Sequence, residues 1–304
     1  MKSRAKAATL FSCLLATMVG LGCDKGKGPD PAPGSATSAE VSKPAAPRYV
    51  TVGAGNTEIV FGLGLGDKVV GVDTSSLFPE EATKRTKVGY QRALAAEGIL
   101  SLTPTLVIVG AEAGPPGVLD QLKASKVRIE TIDSEPTIEG TRSRIAKLAT
   151  LLGADPKPML DKLDQDLKAA DVLTKKAKSK PKVLALYARG AGSAQAFGQK
   201  NAADTLVTLA GGENVMKGFE GSKPITAESL AAADPDLVLV STRGLESLGG
   251  PDALFSLPGL AMTKAGKKKA FVAIDDLLLF GLGPRAGEGV MTLSKKLHPE
   301  LVSP

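Results

Sequence analysis

The 304-residue sequence predicts an α/β protein with two Rossmann-like lobes, each on its own central sheet, and a cleft between them. Three observations predict it. Short β-rich runs alternate with helical stretches on either side of the chain's middle. Between them, from Thr137 to about Lys178, there is no strand pattern. One phrase then occurs twice at a constant offset: Ala96 to Val109 matches Ala227 to Val240, with Ala, Glu, Pro, Leu and Val repeated in place.

The first lobe opens at Tyr49–Val52, an apolar run that ends in Gly-Ala-Gly. A helix over Thr57 to Leu63 and a strand over Lys68 to Val72 follow. A short helix spans Ala96–Leu102, and Leu106–Val109 reads as a strand buried on both faces. Val118–Ala124 is helical and Val127–Ile132 extended. The middle segment then changes period: Ile145, Leu148, Leu151 and Leu152 recur at helical spacing, as do Leu160, Leu163 and Leu167. Pro156 and Pro158 interrupt the run, so it is one long connecting helix or two. The second lobe takes strands from Lys182–Tyr187, Leu237–Val240 and Ala270–Ile274. Its helices are Ala203–Leu209, Ala227–Ala232 and Gly287–Leu297. A weaker echo pairs Leu65 to Val69 with Gly211 to Val215. Two similar lobes joined by helix leave one cleft, a common place for a small molecule.

The N-terminus reads as an address. Lys2, Arg4 and Lys6 precede an apolar run from Ala7 to Leu21, which is too short for a confident spanning helix. It ends at Gly22-Cys23. Residues 1–23 are therefore expected to be a secretory signal of lipoprotein type with Cys23 lipidated, although Gly20 stands where such a box usually has Leu. An ordinary cleaved signal with an incidental Cys is the other reading. Residues 24–47 are rich in Pro, Ala, Ser, Gly and Lys, and form a disordered tether. The folded part divides into an N-terminal lobe, 48–136, a linking helical region, 137–180, and a C-terminal lobe, 181–304. Signal, Cys and tether together place it in the periplasm, anchored to the inner membrane.

Composition excludes several functions. The formal charge of +6 falls to about +3 without the signal's basic residues, too little and too scattered for nucleic acid. The Lys clusters at 175–182 and 267–269 read as solvated faces. Both cysteines, Cys13 and Cys23, lie in the N-terminal segment, so the folded part has no disulfide and no Cys-based metal site. With His298 the single histidine, a cage of several imidazoles is impossible, and a Ser-His-Asp or Cys-His engine would need a tail residue. No Gly-x-Ser-x-Gly elbow marks an envelope hydrolase. Gly53-Ala54-Gly55 lacks the third glycine of a nucleotide fingerprint.

Several phrases carry a resemblance to a known family. They are Gly53-Ala54-Gly55-Asn56-Thr57-Glu58-Ile59-Val60-Phe61-Gly62-Leu63-Gly64; Val88-Gly89-Tyr90-Gln91-Arg92-Ala93-Leu94, followed by Glu97-Gly98; Gly114-Pro115-Pro116; Phe219-Glu220-Gly221; Thr242-Arg243-Gly244-Leu245; and Gly281-Leu282-Gly283-Pro284-Arg285. In order and spacing, from about Arg48 to Leu297, the chain resembles the helix-linked solute-binding proteins of ABC importers for haem, cobalamin and siderophores. The haem-binding branch matches best. The resemblance implies a long rigid α-helix between the lobes, no catalytic turnover and no catalytic cofactor. It implies haem b as the transported ligand, and an importer permease with its ATPase as partners. Cobalamin or a ferric siderophore in the same fold is the alternative cargo, and an envelope hydrolase a remoter one.

The resemblance makes Tyr90 the haem-iron ligand. The chemistry fits: ferric iron is hard, a phenolate oxygen is a hard anionic donor, and Tyr is an established axial ligand. A free phenol titrates at about 10, so iron and a nearby guanidinium must favour the phenolate. Arg243 on the opposite lobe is the implied partner, and Arg92 a second candidate, beside the phenolate or at a propionate. By composition alone, Tyr90 would be read first as a loop residue packing its ring on a lobe surface. Tyr49 and Tyr187 read as structural, Tyr187 also as a minor ligand candidate. Arg285 precedes the last helix, where free N–H groups suit a propionate, or the glycines before it only let the chain turn. Glu97 and Glu228, the duplicated pair, are implied to dock onto basic residues of the permease. Each would also favour the start of its own helix. A His ligand from the second lobe, used by some relatives, has no counterpart here.

Overall fold

The computed structural model describes residues 46–133, 135–190 and 194–301. All of them lie in the compact unit Ala45–Pro304. The signal, Cys23 and nearly all of the tether lie outside them. Among the described residues no helix is long and apolar enough to cross a membrane.

The N-terminal lobe comprises β1 (Tyr49–Thr51), α1 (Ala54–Val60), β2 (Val69–Val72), α2 (Glu80–Thr83), β3 (Thr86–Lys87), β4 (Gly89–Tyr90), β5 (Ala93–Leu94), α3 (Ala96–Leu100), β6 (Leu106–Val109), α4 (Pro116–Ala124) and β7 (Ile129–Thr131). Its sheet has the order β3-β2-β1-β6-β7, parallel throughout. Both faces are covered, so β6 is apolar at every position. Leu106 and Ile108 enter one core, with α1 residues Ile59 and Val60, while Val107 and Val109 enter the other, with Ile99 of α3 and Leu122 of α4.

The connector is two helices, α5 (Ile138–Leu152) and α6 (Lys157–Thr174). Thr137 caps α5 by accepting from the Gly140 N–H at 2.9 Å. Gly153, at φ 66° and ψ 37°, ends it in the left-handed conformation, and Pro158 lies in the first turn of α6. Helix α5 packs on α1, so the long element between lobes is α6. Its 18 residues span about 27 Å.

The C-terminal lobe continues with β8 (Lys182–Tyr187), β9 (Gln195–Phe197), α7 (Ala202–Leu209), β10 (Glu213–Asn214), β11 (Ser222–Pro224), α8 (Ala227–Ala233), β12 (Leu237–Ser241), α9 (Thr242–Leu248), α10 (Pro251–Phe255), α11 (Lys264–Lys268), β13 (Phe271–Ile274), α12 (Asp276–Phe280) and α13 (Ala286–Leu297). The sheet order is β11-β9-β8-β12-β13. The repeated phrase is a repeated structure. Helix α3 and strand β6 match α8 and β12, and the parallel trio β1-β6-β7 matches β8-β12-β13. The weaker echo corresponds too: β2 and β10 each pair in parallel with the first strand of their lobe. The duplication is incomplete, because antiparallel β9 takes the upper part of the edge of β8.

The lobes share a core through the segment before α13. Leu282 and Ala286 are buried with Ile59 of the N-terminal lobe and with Ile145 and Leu148 of α5, which packs on it. The Leu282 carbonyl accepts from Thr141 Oγ1 and from Arg144 Nη2, both at 2.7 Å. Arg285 Nε donates to Glu58 Oε1 at 2.8 Å, and that carboxylate is only 6% exposed. The Phe78 ring lies 3.6 Å from the Arg285 guanidinium carbon. Burial raises the Glu58 carboxyl above its usual value, while Arg285 and Arg144 pull it back. Burial pushes the Arg144 guanidinium down, opposed by Glu58.

Helix α13 lies against α6 at backbone distance. A Cβ on Gly287 would stand 2.5 Å from the Cβ of Asp166 and 3.1 Å from the Leu163 carbonyl oxygen. Gly98 in α3 has no neighbour there within 4 Å.

Two predictions follow from these contacts. Gly98→Ala is expected to raise stability by about 0.5–1 kcal/mol, through the unfolded chain and helix propensity. Gly287→Ala should instead lose stability, because an overpacked contact costs about 1–3 kcal/mol. Urea midpoints of the two variants, moving in opposite directions, check this. The second concerns pH. A raised folded-state pKa means the folded chain binds the Glu58 proton more tightly than the unfolded one. Stability therefore falls as pH rises from 4.5 through the raised value. Glu58→Gln should flatten that part of the urea-midpoint profile, and an unchanged slope would assign it to other groups.

Candidate functional site

In both sheets the parallel strands end on loops that carry the polar and aromatic candidates, as open α/β sheets place their ligand sites. In the N-terminal lobe these loops are tied to one another. The Gly53 N–H after β1 donates to Asp73 Oδ1 after β2 at 2.9 Å. Asp73 is fully buried and also accepts from the Ser75 N–H at 2.9 Å, the Ser75 hydroxyl and Ser76 Oγ at 2.6 Å. Thr57 Oγ1 links Thr51 and Ser76 at 2.8 and 2.7 Å. Both carboxylate oxygens of Asp73 accept two hydrogen bonds and each hydroxyl of the cluster has a partner, which makes a fixed floor.

Tyr90 lies in the two-stranded hairpin β4-β5, where it pairs with Ala93 across the turn Gln91-Arg92. The hairpin is held on both sides. Thr74 N–H donates to the Gly89 carbonyl, Leu94 N–H to the Gly114 carbonyl, both at 2.8 Å, and Gly114 N–H to the Gln91 carbonyl at 2.9 Å. Gly89 makes the entry possible. Its φ is 103°, and a Cβ there would lie 2.7 Å from the Ala93 carbonyl oxygen. The Tyr90 side chain is half-buried and makes no hydrogen bond with a described residue.

Arg92, at the turn, is exposed and ion-paired with Glu112 in the loop after β6. Its charge is therefore shared with a carboxylate of its own lobe. Arg243 is the second residue of α9, directly after β12. Its backbone N–H donates to Asp276 Oδ2 at 3.3 Å, while its exposed guanidinium has no carboxylate partner among the described residues. Arg285 differs from the expectation of a guanidinium waiting at the start of the last helix. It is committed to Glu58 and Phe78, with Asp275 and Glu288 at 3.8 and 3.9 Å. The glycines before it let the chain enter the other lobe's core; Gly283 passes with a would-be Cβ 3.1 Å from Glu58 Oε2.

Glu97 and Glu228 hold equivalent places, second in α3 and second in α8, both exposed and without an ion-pair partner among the described residues. Tyr49 is buried in the core. Tyr187, last in β8, packs edge-on against Phe197 and Phe280, at ring-centroid distances of 6.0 and 5.7 Å. Sequence reasoning missed this three-ring wall, since the three residues lie on β8, β9 and α12. It also missed Glu58, although the residue stands inside one of the quoted phrases. His298 is buried against Gly211 near the ends of α6 and α13, far along the chain from these loops. Among the described residues no group of three or more His, Cys, Asp or Glu side chains is arranged to hold a metal ion.

Comparison with known proteins agrees with this arrangement. Among solved structures, the periplasmic haem-binding protein RhuT from Roseiflexus sp. RS-1, in apo form, is 39% identical. The match covers 84% of this chain and 99% of that one, with a TM-score of 0.81. The periplasmic haem-binding protein BhuT, solved with two haems, is also 39% identical, covering 84% and 98%, with a TM-score of 0.79. Among curated proteins, the ABC transporter substrate-binding lipoprotein YvrC of Bacillus subtilis is 26% identical over 258 residues, 83% of this chain and 80% of its own. The vitamin B12-binding protein of Vibrio campbellii is 27% identical over 209 residues, covering 67% and 74%. The family model described as periplasmic binding protein matches residues 50–277. This two-lobed chain, matched by that model over most of its length, is thus a member of the periplasmic binding protein family.

Proposed function

We propose that this protein captures haem in the periplasm and delivers it to the permease of an ABC importer, whose ATPase drives uptake. The observation that carries the reading is Tyr90: a phenol free of hydrogen bonds to described residues, on a hairpin pinned at the strand ends. Relatives at 39% identity that bind haem support it. The phenolate oxygen takes the ferric iron. The Arg243 guanidinium, unpaired among the described residues, favours the ionised phenol or neutralises a propionate. Arg92 serves the rim, its charge already shared with Glu112. Arg285 is a structural cation in this reading, holding the lobes together rather than touching cargo.

Glu97 and Glu228 are the docking residues. The duplication gives each lobe one exposed carboxylate at the same place, so basic permease residues sense the lobe separation through a pair. Residues 1–23 direct export and Cys23 carries the lipid anchor, a reading supported by the lipoprotein relative. The vitamin B12-binding relatives favour cobalamin as a second reading of the same cleft.

Titration with hemin and, separately, with cyanocobalamin tests the assignment. Hemin should give a shifted Soret band and a high-spin charge-transfer band. Tyr90→Phe should lose the charge-transfer band and bind at least about tenfold more weakly, the equivalent of ~1.4 kcal/mol. Saturable binding of cobalamin with no hemin response would transfer the proposal to cobalamin. For docking, Glu97→Ala and Glu228→Ala should leave hemin binding intact. Each should slow haem transfer to permease-containing vesicles several-fold, and the double variant more. Transfer at the parent rate in the double variant would remove this role.

A further inference from the structure

The lysine clusters at 175–182 and 264–269 converge on one end of the C-terminal lobe. Strand β8 begins at Lys182, while β13 begins at Phe271, just after α11 and Lys269. The register pairs Val183 with Leu237 and Val238 with Phe271. Both clusters therefore enter the same edge of the sheet, two strands apart, roughly 10 Å. This is the edge where the strands start, opposite the loops that carry Arg243.

The acids at this edge are already engaged by other lysines. Glu213 pairs with Lys217, Asp252 with Lys269 at 3.0 Å, and Asp234 with Lys264 at 3.2 Å. Asp236 lies 3.9 Å from the same Lys264 and accepts from the Lys182 backbone N–H at 2.9 Å. Six further exposed lysines form no ion pair with a described residue, namely Lys176, Lys178, Lys180, Lys182, Lys267 and Lys268. Lys180 and Lys182 act on Glu213, and Lys267 on Asp234, only at longer range, so the edge keeps a net positive charge. Two exposed aliphatic side chains border these lysines. Val172, one turn before Lys176 on α6, is 52% exposed, and Leu209, at the end of α7, is 37% exposed. The ends of these helices touch, since a Cβ on Gly211 would lie 3.1 Å from Thr174 Cγ2.

We propose that this end of the C-terminal lobe rests on the surface of an anionic phospholipid bilayer. Flexible ammonium groups neutralise lipid headgroups without a fixed geometry, and each strengthens attraction within a Debye length of the surface. Aliphatic side chains among them enter the headgroup boundary. The six are all lysine, with no arginine or aromatic residue among them, unlike a surface that reads nucleic acid. The proposal stands apart from the identity of the cargo.

Amine-reactive footprinting of the full chain, read by mass spectrometry, tests it. The chain is mixed with vesicles of phosphatidylcholine alone or with about 30% phosphatidylglycerol. Labelling of the six lysines should fall at least about threefold on the anionic vesicles and recover in about 0.5 M salt. Lys84 and Lys157, which are paired with Glu80 and Asp161, should label equally on both. Equal labelling of the six on the two vesicle types would overturn the proposal. So would protection by a soluble polyanion such as DNA without protection by anionic vesicles.

Discussion

Glu58 and Arg285 lie 227 residues apart and meet where a segment of one lobe enters the core of the other. Around that pair, Leu282 fills a position among Ile59, Ile145 and Leu148, and its carbonyl is held by Thr141 and Arg144. A buried ion pair adds little net stability over an apolar replacement, whereas removing one partner leaves the other charge buried and unpaired, at a cost of about 3–5 kcal/mol. Apolar burial therefore supplies most of the adhesion here, and the paired groups make the contact between the lobes costly to break.

Much of the fold was legible, for a physical reason. Strands β6 and β8 were bounded correctly because both of their faces are buried, which writes an unbroken apolar run between polar turns. The repeat at offset 131 announced the second lobe, since equal burial demands equal patterns. What escaped were elements too short to carry a period. The hairpin β4-β5 has two residues per strand, and its conformation is dictated by Gly89 and its neighbours rather than by alternation. Helices α9 to α12 run five to seven residues, with starts set by local caps such as Ser241 and Asp275.

The site divides in the same way. Tyr90, Arg92 and Arg243 were singled out because each stands within a distinctive phrase; Tyr90 ends β4, Arg92 lies in the turn after it and Arg243 in the first turn of α9. Arg285 was found too, but its neighbours were not, and they change its meaning. A guanidinium facing solvent and one facing Glu58 look identical in a sequence, because the partner comes from a distant helix. The Tyr187, Phe197 and Phe280 cluster was hidden likewise, being assembled from three elements.

The close approach at Gly287 has a mechanical consequence. Two helices that touch at backbone distance have no compressible side-chain layer between them, so α6 and α13 act as one stiff beam beneath both lobes. Sliding of one lobe past the other would drive the Asp166 side chain into the neighbouring backbone.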